Sequence, residues 1–264
     1  MAEFSAEQIR RFWTQQALEH GQSVEASWSD RMLVQMEVRE ISKRLRDGDR
    51  VLDVGCGNGC STVQLAAARK VRLRGVDYIP EMIDQARLRL RGLAGALAGA
   101  VEFEVGDVTS LDEPTEAYDK VVAVRTLINL GGWDRQLRAL RECARVLRRG
   151  GELLLSEATC QGWRRLNGFR KEWGLPEIPV KPFNEYLDEE RVAREISPEL
   201  ELGELVDFSS TYYVGTRVLK PLLIAALGAD VEPANADTEW NRWLAQLPSW
   251  GDYGTQRLFV FRKP

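Results

Sequence analysis

Histidine is nearly missing from this chain: His20 is the only one among 264 residues. The four cysteines, Cys56, Cys60, Cys143 and Cys160, show no zinc-like pairing. A structural zinc site takes four Cys or His ligands at short spacings, so no metal site is expected. Long apolar runs are missing too. Leu222–Leu227 is the longest, far short of the about 20 residues that cross a bilayer. Ala2 to Arg11 is polar and charged, so no signal peptide is expected and the cytoplasm is the default location. Basic charge is not in excess. The chain has 36 Lys and Arg against 40 Asp and Glu, a net charge of −4, which argues against a nucleic-acid partner. Arg138, Arg141, Arg145, Arg148 and Arg149 recur at helical spacing and read as the solvated face of one amphipathic helix.

What is present is an ordinary soluble composition, 44% hydrophobic and 29% charged. The length suits one large α/β domain with insertions, or one domain with a small cap. Its most informative stretch is Val51-Leu-Asp-Val-Gly-Cys-Gly-Asn-Gly-Cys60. A short apolar run enters Gly55, Gly57 and Gly59, and a helical pattern, Ser61 to Ala68, follows at once. Glycines let the backbone pass close to a ligand where a Cβ would collide. The new helix points its free N–H groups at the same place. The next apolar run ends in Asp77, about the offset at which an acid grips ribose hydroxyls in nucleotide-binding α/β folds.

The glycine spacing argues against a dinucleotide. That fingerprint has a small residue three places after its second glycine, and here position 60 is Cys. The stretch Asp53-Val-Gly55-Cys-Gly57-Asn-Gly59 resembles instead the first motif of class I, Rossmann-like S-adenosylmethionine-dependent methyltransferases. Three further segments match in register: Asp77-Tyr78 with Met82 on the following helix, Phe103 to Val108, and Tyr118 to Arg125 followed by a helix and a Gly-Gly turn, Gly150-Gly151, into a fifth apolar strand. The resemblance covers Arg50 to Glu157 well. It implies an α/β, doubly wound, mostly parallel seven-stranded sheet whose last strand, Gln256–Arg262, is antiparallel.

The same resemblance implies roles for individual residues. Asp77 would accept hydrogen bonds from both ribose hydroxyls, and Asp107 with the Val108 N–H would hold the adenine. Tyr78 and Met82 would pack on adenine and ribose. Gly55, Cys56 and Gly57 would flank the methionine moiety, Asp53 would reach its ammonium, and Arg125 would touch it at the end of the fourth strand. Methyl transfer needs mainly alignment, because the sulfonium is already an excellent leaving group. No general base declares itself. His20, at a helix end, and Glu157, at the carboxyl end of the fifth strand, are the candidates, each with a structural alternative as a helix cap or a buried hydrogen bond.

Outside that core the sequence reads as a helical lid over residues 1–46 and a methyltransferase domain over 47–264, with helical cap inserts at about 160–200 and 219–250. Helices are expected at Ser5–Glu19, Trp28–Leu45, Trp163–Trp173, Asn184–Ile196 and Asp237–Leu247. The β-formers between Leu202 and Val218 predict strand. Leu93–Ala100 reads as a loose helix end and loop. Aromatic residues gather in the flanks, and some should line an acceptor pocket; Trp13, Trp28, Tyr213 and Tyr253 are the substrate candidates. The acidic chain suggests a small acceptor that is uncharged or cationic, such as a sugar, an amino-acid derivative or a natural-product intermediate, and a monomer or homodimer. Competing readings are a peptide or protein methyltransferase, a cofactor-binding protein without transfer activity and, more distantly, a nicotinamide dehydrogenase.

Overall fold

The structure, a computed structural model, describes residues 5–93 and 95–264. The first four residues of the expected lid and Ala94 of the expected 93–100 loop lie outside the described residues. Strands and helices alternate through the first five strands except between β3 and β4, which follow each other directly: β1 Arg50–Val54, α3 Cys60–Ala68, β2 Arg72–Asp77, α4 Pro80–Gly92, β3 Ala100–Val105, β4 Tyr118–Val124, α5 Trp133–Val146 and β5 Leu147–Ala158. Two further strands, β6 Glu201–Val206 and β7 Gln256–Arg262, complete a seven-stranded sheet of order β3-β2-β1-β4-β5-β7-β6. β7 runs antiparallel to both β5 and β6, and the other pairs are parallel. This is the expected topology.

The central strands explain themselves. Val51, Leu52, Val121, Val122, Leu153 and Leu154 are fully buried, so both faces of β1, β4 and β5 are covered, and a near-continuous apolar run results. Each such side chain contributes roughly 1.5–3 kcal/mol on burial. α5 buries Gln136, Ala139, Leu140, Cys143 and Ala144 at helical spacing and exposes Arg138 and Arg141. The expected arginine face stops there, because Arg145 is tied to Leu111 O and Glu113 O, and Arg148 and Arg149 belong to β5. The strand order reverses between β1 and β4. Their carboxyl ends, with those of β2 and β5, frame a crevice, the usual ligand position in open α/β sheets.

The expected lid divides in two. α1, Ala6–His20, is closed by the reciprocal Ser5–Gln8 capping box and ends at Gly21. With a short turn at Val24–Ala26 it packs on α4, burying Ala17 and Ala26 against Ile79 and Met82. α2, Arg31–Ser42, instead buries Leu33, Met36 and Ile41 in the same cluster as Val51, Leu154 and Leu258. It is part of the sheet's packing. It starts three residues later than its apolar periodicity suggests because the Asp30 carboxylate caps it, accepting from Leu33 N at 3.2 Å.

The later inserts differ from expectation in two places. After α6, Cys160–Glu172, the next helix α7 spans only Glu189–Ile196, with the Asp188 side chain capping it at Arg191 N. The β-formers after Val206 do not continue the strand. Ser210–Val214 is α8, which runs through a wide turn at Gly215–Leu219 into α9, Lys220–Leu227; α10, Glu239–Leu244, follows. Tertiary bonds override local propensity here: the Ser209 hydroxyl donates to Gln256 O (2.8 Å) and the Tyr212 hydroxyl to Asp30 (2.7 Å).

Candidate functional site

One large cavity of about 370 Å³ opens at the carboxyl ends of β1, β2, β4 and β5. Its first wall is the glycine loop. Gly55 has φ +69°, and a Cβ there would stand 2.4 Å from the Thr126 hydroxyl. Gly57 has φ +53°, and a Cβ built on it meets nothing within 4 Å, so this backbone faces open ligand space. Asp77 ties the loop to β2. Its Oδ2 accepts from Gly57 N and its Oδ1 from Ile79 N, both at 2.9 Å. Each oxygen retains acceptor capacity toward the cavity. Burial pushes the Asp77 carboxyl up to about 6 and the Asp53 carboxyl up to about 7, the Thr62 hydroxyl at 2.6 Å opposing the rise for Asp53. Burial, with Asp77 and Asp53 nearby, also raises the Cys56 thiol.

The wall continues along β2 and β3. Tyr78, Met82, Asp107 and Val108 all line the cavity. Asp107 Oδ1 holds its own turn, accepting from Thr109 N at 2.8 Å and Thr109 Oγ1 at 2.7 Å. Trp13, from α1, closes over this end beside Tyr78. Asn58, which sequence reasoning did not single out, pins that segment by donating to Gly21 O and Ser23 O at 2.8 and 2.7 Å.

The opposite wall comes from β4, β5 and the inserts. Arg125 stands at φ +52°, with its guanidinium paired to Glu37 and 4.6 Å above the Trp28 ring. Burial lowers Arg125 to about 10. Glu37 is itself held by the Ser156 hydroxyl (2.8 Å) and Gln256 Nε2 (2.9 Å). Tyr213 lines this half, joined by Trp163, Lys181, Tyr186 and Arg217. Trp163 and Tyr186 belong to the flanking aromatics expected to line a pocket, whereas Glu37, Lys181 and Arg217 carried no local sequence signal. The partners of Glu37 and Arg217 lie on distant segments.

Three candidates stand apart. His20 and Glu157 do not line the cavity, and neither does Tyr253. His20 Nδ1 is 4.0 Å from Glu25, at the end of α1. Tyr253 packs on Phe169, ring centroids 5.1 Å apart. Glu157 is fully buried, and its Oε1 accepts from Thr126 N and Leu127 N, both at 2.7 Å. It acts as a cap on the turn after β4.

Sheet order, antiparallel β7 and the glycine loop over the switch point together define a class I methyltransferase fold. Residues 51–151 match the family model described as a methyltransferase domain. A structure of an S-adenosylmethionine-dependent methyltransferase from Methanosarcina mazei superposes with a TM-score of 0.56 at 20% identity, covering 85% of this chain and 96% of that one. An O-methyltransferase of Aspergillus nomiae is 32% identical over 147 residues, 53% of this chain and 63% of that protein. The 27-O-demethylrifamycin SV methyltransferase of Amycolatopsis mediterranei is 35% identical over 113 residues, 43% of this chain and 40% of that protein. The chain thus spans less than two thirds of the length of these two relatives, the O-methyltransferase and the rifamycin methyltransferase. Among the described residues no helix is long and apolar enough to cross a membrane.

Proposed function

We propose that this protein binds S-adenosylmethionine and transfers its methyl group to a small-molecule acceptor held in the same cavity. The observation that carries the reading is one continuous cavity, with the glycine loop and three acids on one wall and an aromatic insert on the other. The residues fit the cofactor. Asp77 would take the ribose hydroxyls, and Asp107 and Val108 the adenine, with Tyr78 and Met82 packed against it. Gly55, Cys56, Gly57 and Asp53 would receive the methionine half, and the buried Arg125 would stand beside it. When bound, the cofactor supplies an electrophilic methyl on a sulfonium. The chain's own part is to align the acceptor and exclude water, which is where most of the rate comes from.

The match to O-methyltransferases favours an oxygen acceptor on a natural-product intermediate, ahead of the sugar and amino-acid alternatives. A peptide substrate fits less well, because α1 and the inserts close over the cavity. The second reading is a cofactor-binding protein without transfer. It is favoured by one fact: neither His20 nor Glu157 reaches the cavity. Working as a monomer or homodimer in the cytoplasm belongs to the same proposal. The test is incubation with methyl-labelled cofactor and a metabolite extract. Label in a small-molecule fraction supports transfer; titratable cofactor binding with no labelled product supports the second reading.

Cofactor binding should weaken with acid. The free-protein carboxyls of Asp77 and Asp53 titrate at about 6 and about 7, and the anions make the stronger hydrogen bonds. Affinity should therefore be full above pH 8 and fall as pH drops through 7 and 6. The limiting slope is about tenfold per unit for each group that must lose its proton. Calorimetric titration of S-adenosylhomocysteine from pH 8.5 to 5 checks this. A flat profile would remove both acids from the binding role.

The α1 segment should behave as the cofactor-side lid. Trp13 lines the cavity and Ala17 packs on Met82. Deleting residues 1–28 should leave a folded protein, since α2 holds the sheet without them, with weaker cofactor binding and a larger loss of turnover. Hydrogen exchange in Phe12–Trp28 should slow when S-adenosylhomocysteine is added. Equal protection in both states would count against the lid.

A further inference from the structure

The charge inside the cavity is divided. Its acids, Asp53, Asp77 and Asp107, all stand at the carboxyl ends of β1 to β3, on the cofactor wall. Of its cations, Arg135 sits near Tyr78 on that side. The other three, Arg125, Lys181 and Arg217, stand on the insert wall, where no acidic side chain lines the cavity. Three acids lie behind that wall and offset part of its charge, the buried Glu157 acting on Arg125 from beneath. Glu37 takes Arg125, and Asp30 accepts from Arg217 Nη2 at 2.7 Å. Lys181 has no such partner. Among the described residues its ammonium makes no hydrogen bond or ion pair, while burial and the neighbouring Arg125 lower its affinity for a proton. Arg217 is only partly used; beyond Asp30 it reaches Thr216 Oγ1 at 3.0 Å, leaving donors of its planar fork spare.

A second feature points the same way. Tyr213 is 6% exposed and lines the cavity. Among the described residues its hydroxyl finds no hydrogen-bond partner, although the Arg217 guanidinium lies 5.6 Å from its ring centre. The hydroxyl is not cut off from solvent, and the cavity that Tyr213 lines is where a partner can reach it. Around it stand flat apolar surfaces: Trp163, whose indole N–H is already spent on Ile178 O at 2.8 Å, with Tyr186 and Pro179.

We infer that the acceptor is an aromatic or polycyclic acid, its carboxylate held by Lys181 and Arg217 with a hydrogen bond from the Tyr213 hydroxyl, and its rings seated among Trp163, Tyr186 and Pro179. This rests on the methyl-transfer reading above and specifies its substrate class. It replaces the expectation of an uncharged or cationic acceptor, which came from the net charge of the whole chain. Net charge describes the outer surface; the acceptor meets the local lining. Placing the anion on the insert wall also keeps it clear of the three carboxylates opposite.

The test is calorimetric titration of 1-naphthoate and of its neutral primary amide into protein saturated with S-adenosylhomocysteine. The acid should bind at least about tenfold more tightly than the amide, the scale of one charge-assisted contact. Lys181→Met should bring the two within about threefold, Lys181→Arg should keep most of the preference, and Tyr213→Phe should weaken the acid by roughly three- to tenfold. S-adenosylhomocysteine affinity should stay within about twofold in Lys181→Met, since Lys181 stands on the insert wall, across the cavity from Asp53, Asp77 and Asp107. Equal binding of acid and amide, or no binding of either, overturns the inference. So does a tenfold loss of S-adenosylhomocysteine affinity in Lys181→Met, because the ammonium would then serve the cofactor's own carboxylate. If S-adenosylhomocysteine itself does not bind, the methyl-transfer reading fails, and the same acid–amide ratio on the free protein still judges the anion site.

Discussion

Asp77→Ala is expected to weaken binding of S-adenosylhomocysteine by about 10- to 150-fold, the loss of roughly 1.5–3 kcal/mol that follows removal of charge-assisted hydrogen bonds. Two effects add. The ribose loses its anionic acceptor, and the loop loses the bond that holds Gly57 N 2.9 Å from Oδ2. Asp77→Asn separates them. It keeps an acceptor for Ile79 N, but it must set an amide N–H against Gly57 N or rotate, and it carries no charge. An intermediate loss is expected, with no dependence on Asp77 titration in its pH profile. Thermal melting accompanies the calorimetry, because Ala leaves the Gly57 and Ile79 amides without their acceptor. An unchanged dissociation constant in a folded Asp77→Ala variant would remove the ribose assignment and leave Asp77 as a turn former only.

The glycine-loop wall of the cavity was legible because it is local. Each piece joins a strand end to the next few residues, so Gly55, Gly57, Asp77 and Asp107 carry their signal in short windows. The seven-stranded topology followed from alternation and from the clear terminal strand, Gln256–Arg262. The insert wall was less legible, because its geometry comes from partners far apart in sequence. Glu37 meets Arg125 across 88 residues and Gln256 across 219. Asp30 meets Tyr212 across 182 and Arg217 across 187. Asp30 also shows why the apolar pattern of α2 misled at its start: periodicity marks the buried face, while the cap decides where the helix begins. Tyr212 and Tyr213 illustrate the converse. Their β propensity is real, but the Tyr212 hydroxyl's bond to Asp30 and the burial of both rings hold them in a helix.

Glu157 carries the other large expected effect. Burial pushes its carboxyl up to about 8, from an unfolded value of about 4.3. Its Oε1 accepts from two backbone amides, and its Oε2 is buried without a partner. Because the folded value is raised, the folded state holds this proton where the unfolded chain has released it. The group's stabilising contribution is complete below about pH 4, declines as pH rises, and is gone above about pH 8; the span is on the order of 5 kcal/mol. Glu157→Gln keeps an oxygen for the Thr126 and Leu127 amides and cannot ionise. Its unfolding free energy should lose this part of the pH slope, and at pH 9 it should equal or exceed that of the unsubstituted protein. Glu157→Ala leaves both amides buried without an acceptor, and it should cost about 2–4 kcal/mol at pH 6. Chemical denaturation between pH 5 and pH 9 measures all three. The same variants decide the role of this residue in transfer. Away from the cavity and serving as a cap, Glu157 should be replaceable by Gln with turnover within about threefold, far below the 10²–10⁴-fold typical of a general base. A Gln variant that folds, binds S-adenosylhomocysteine normally and loses transfer by a hundredfold would restore Glu157 as the base.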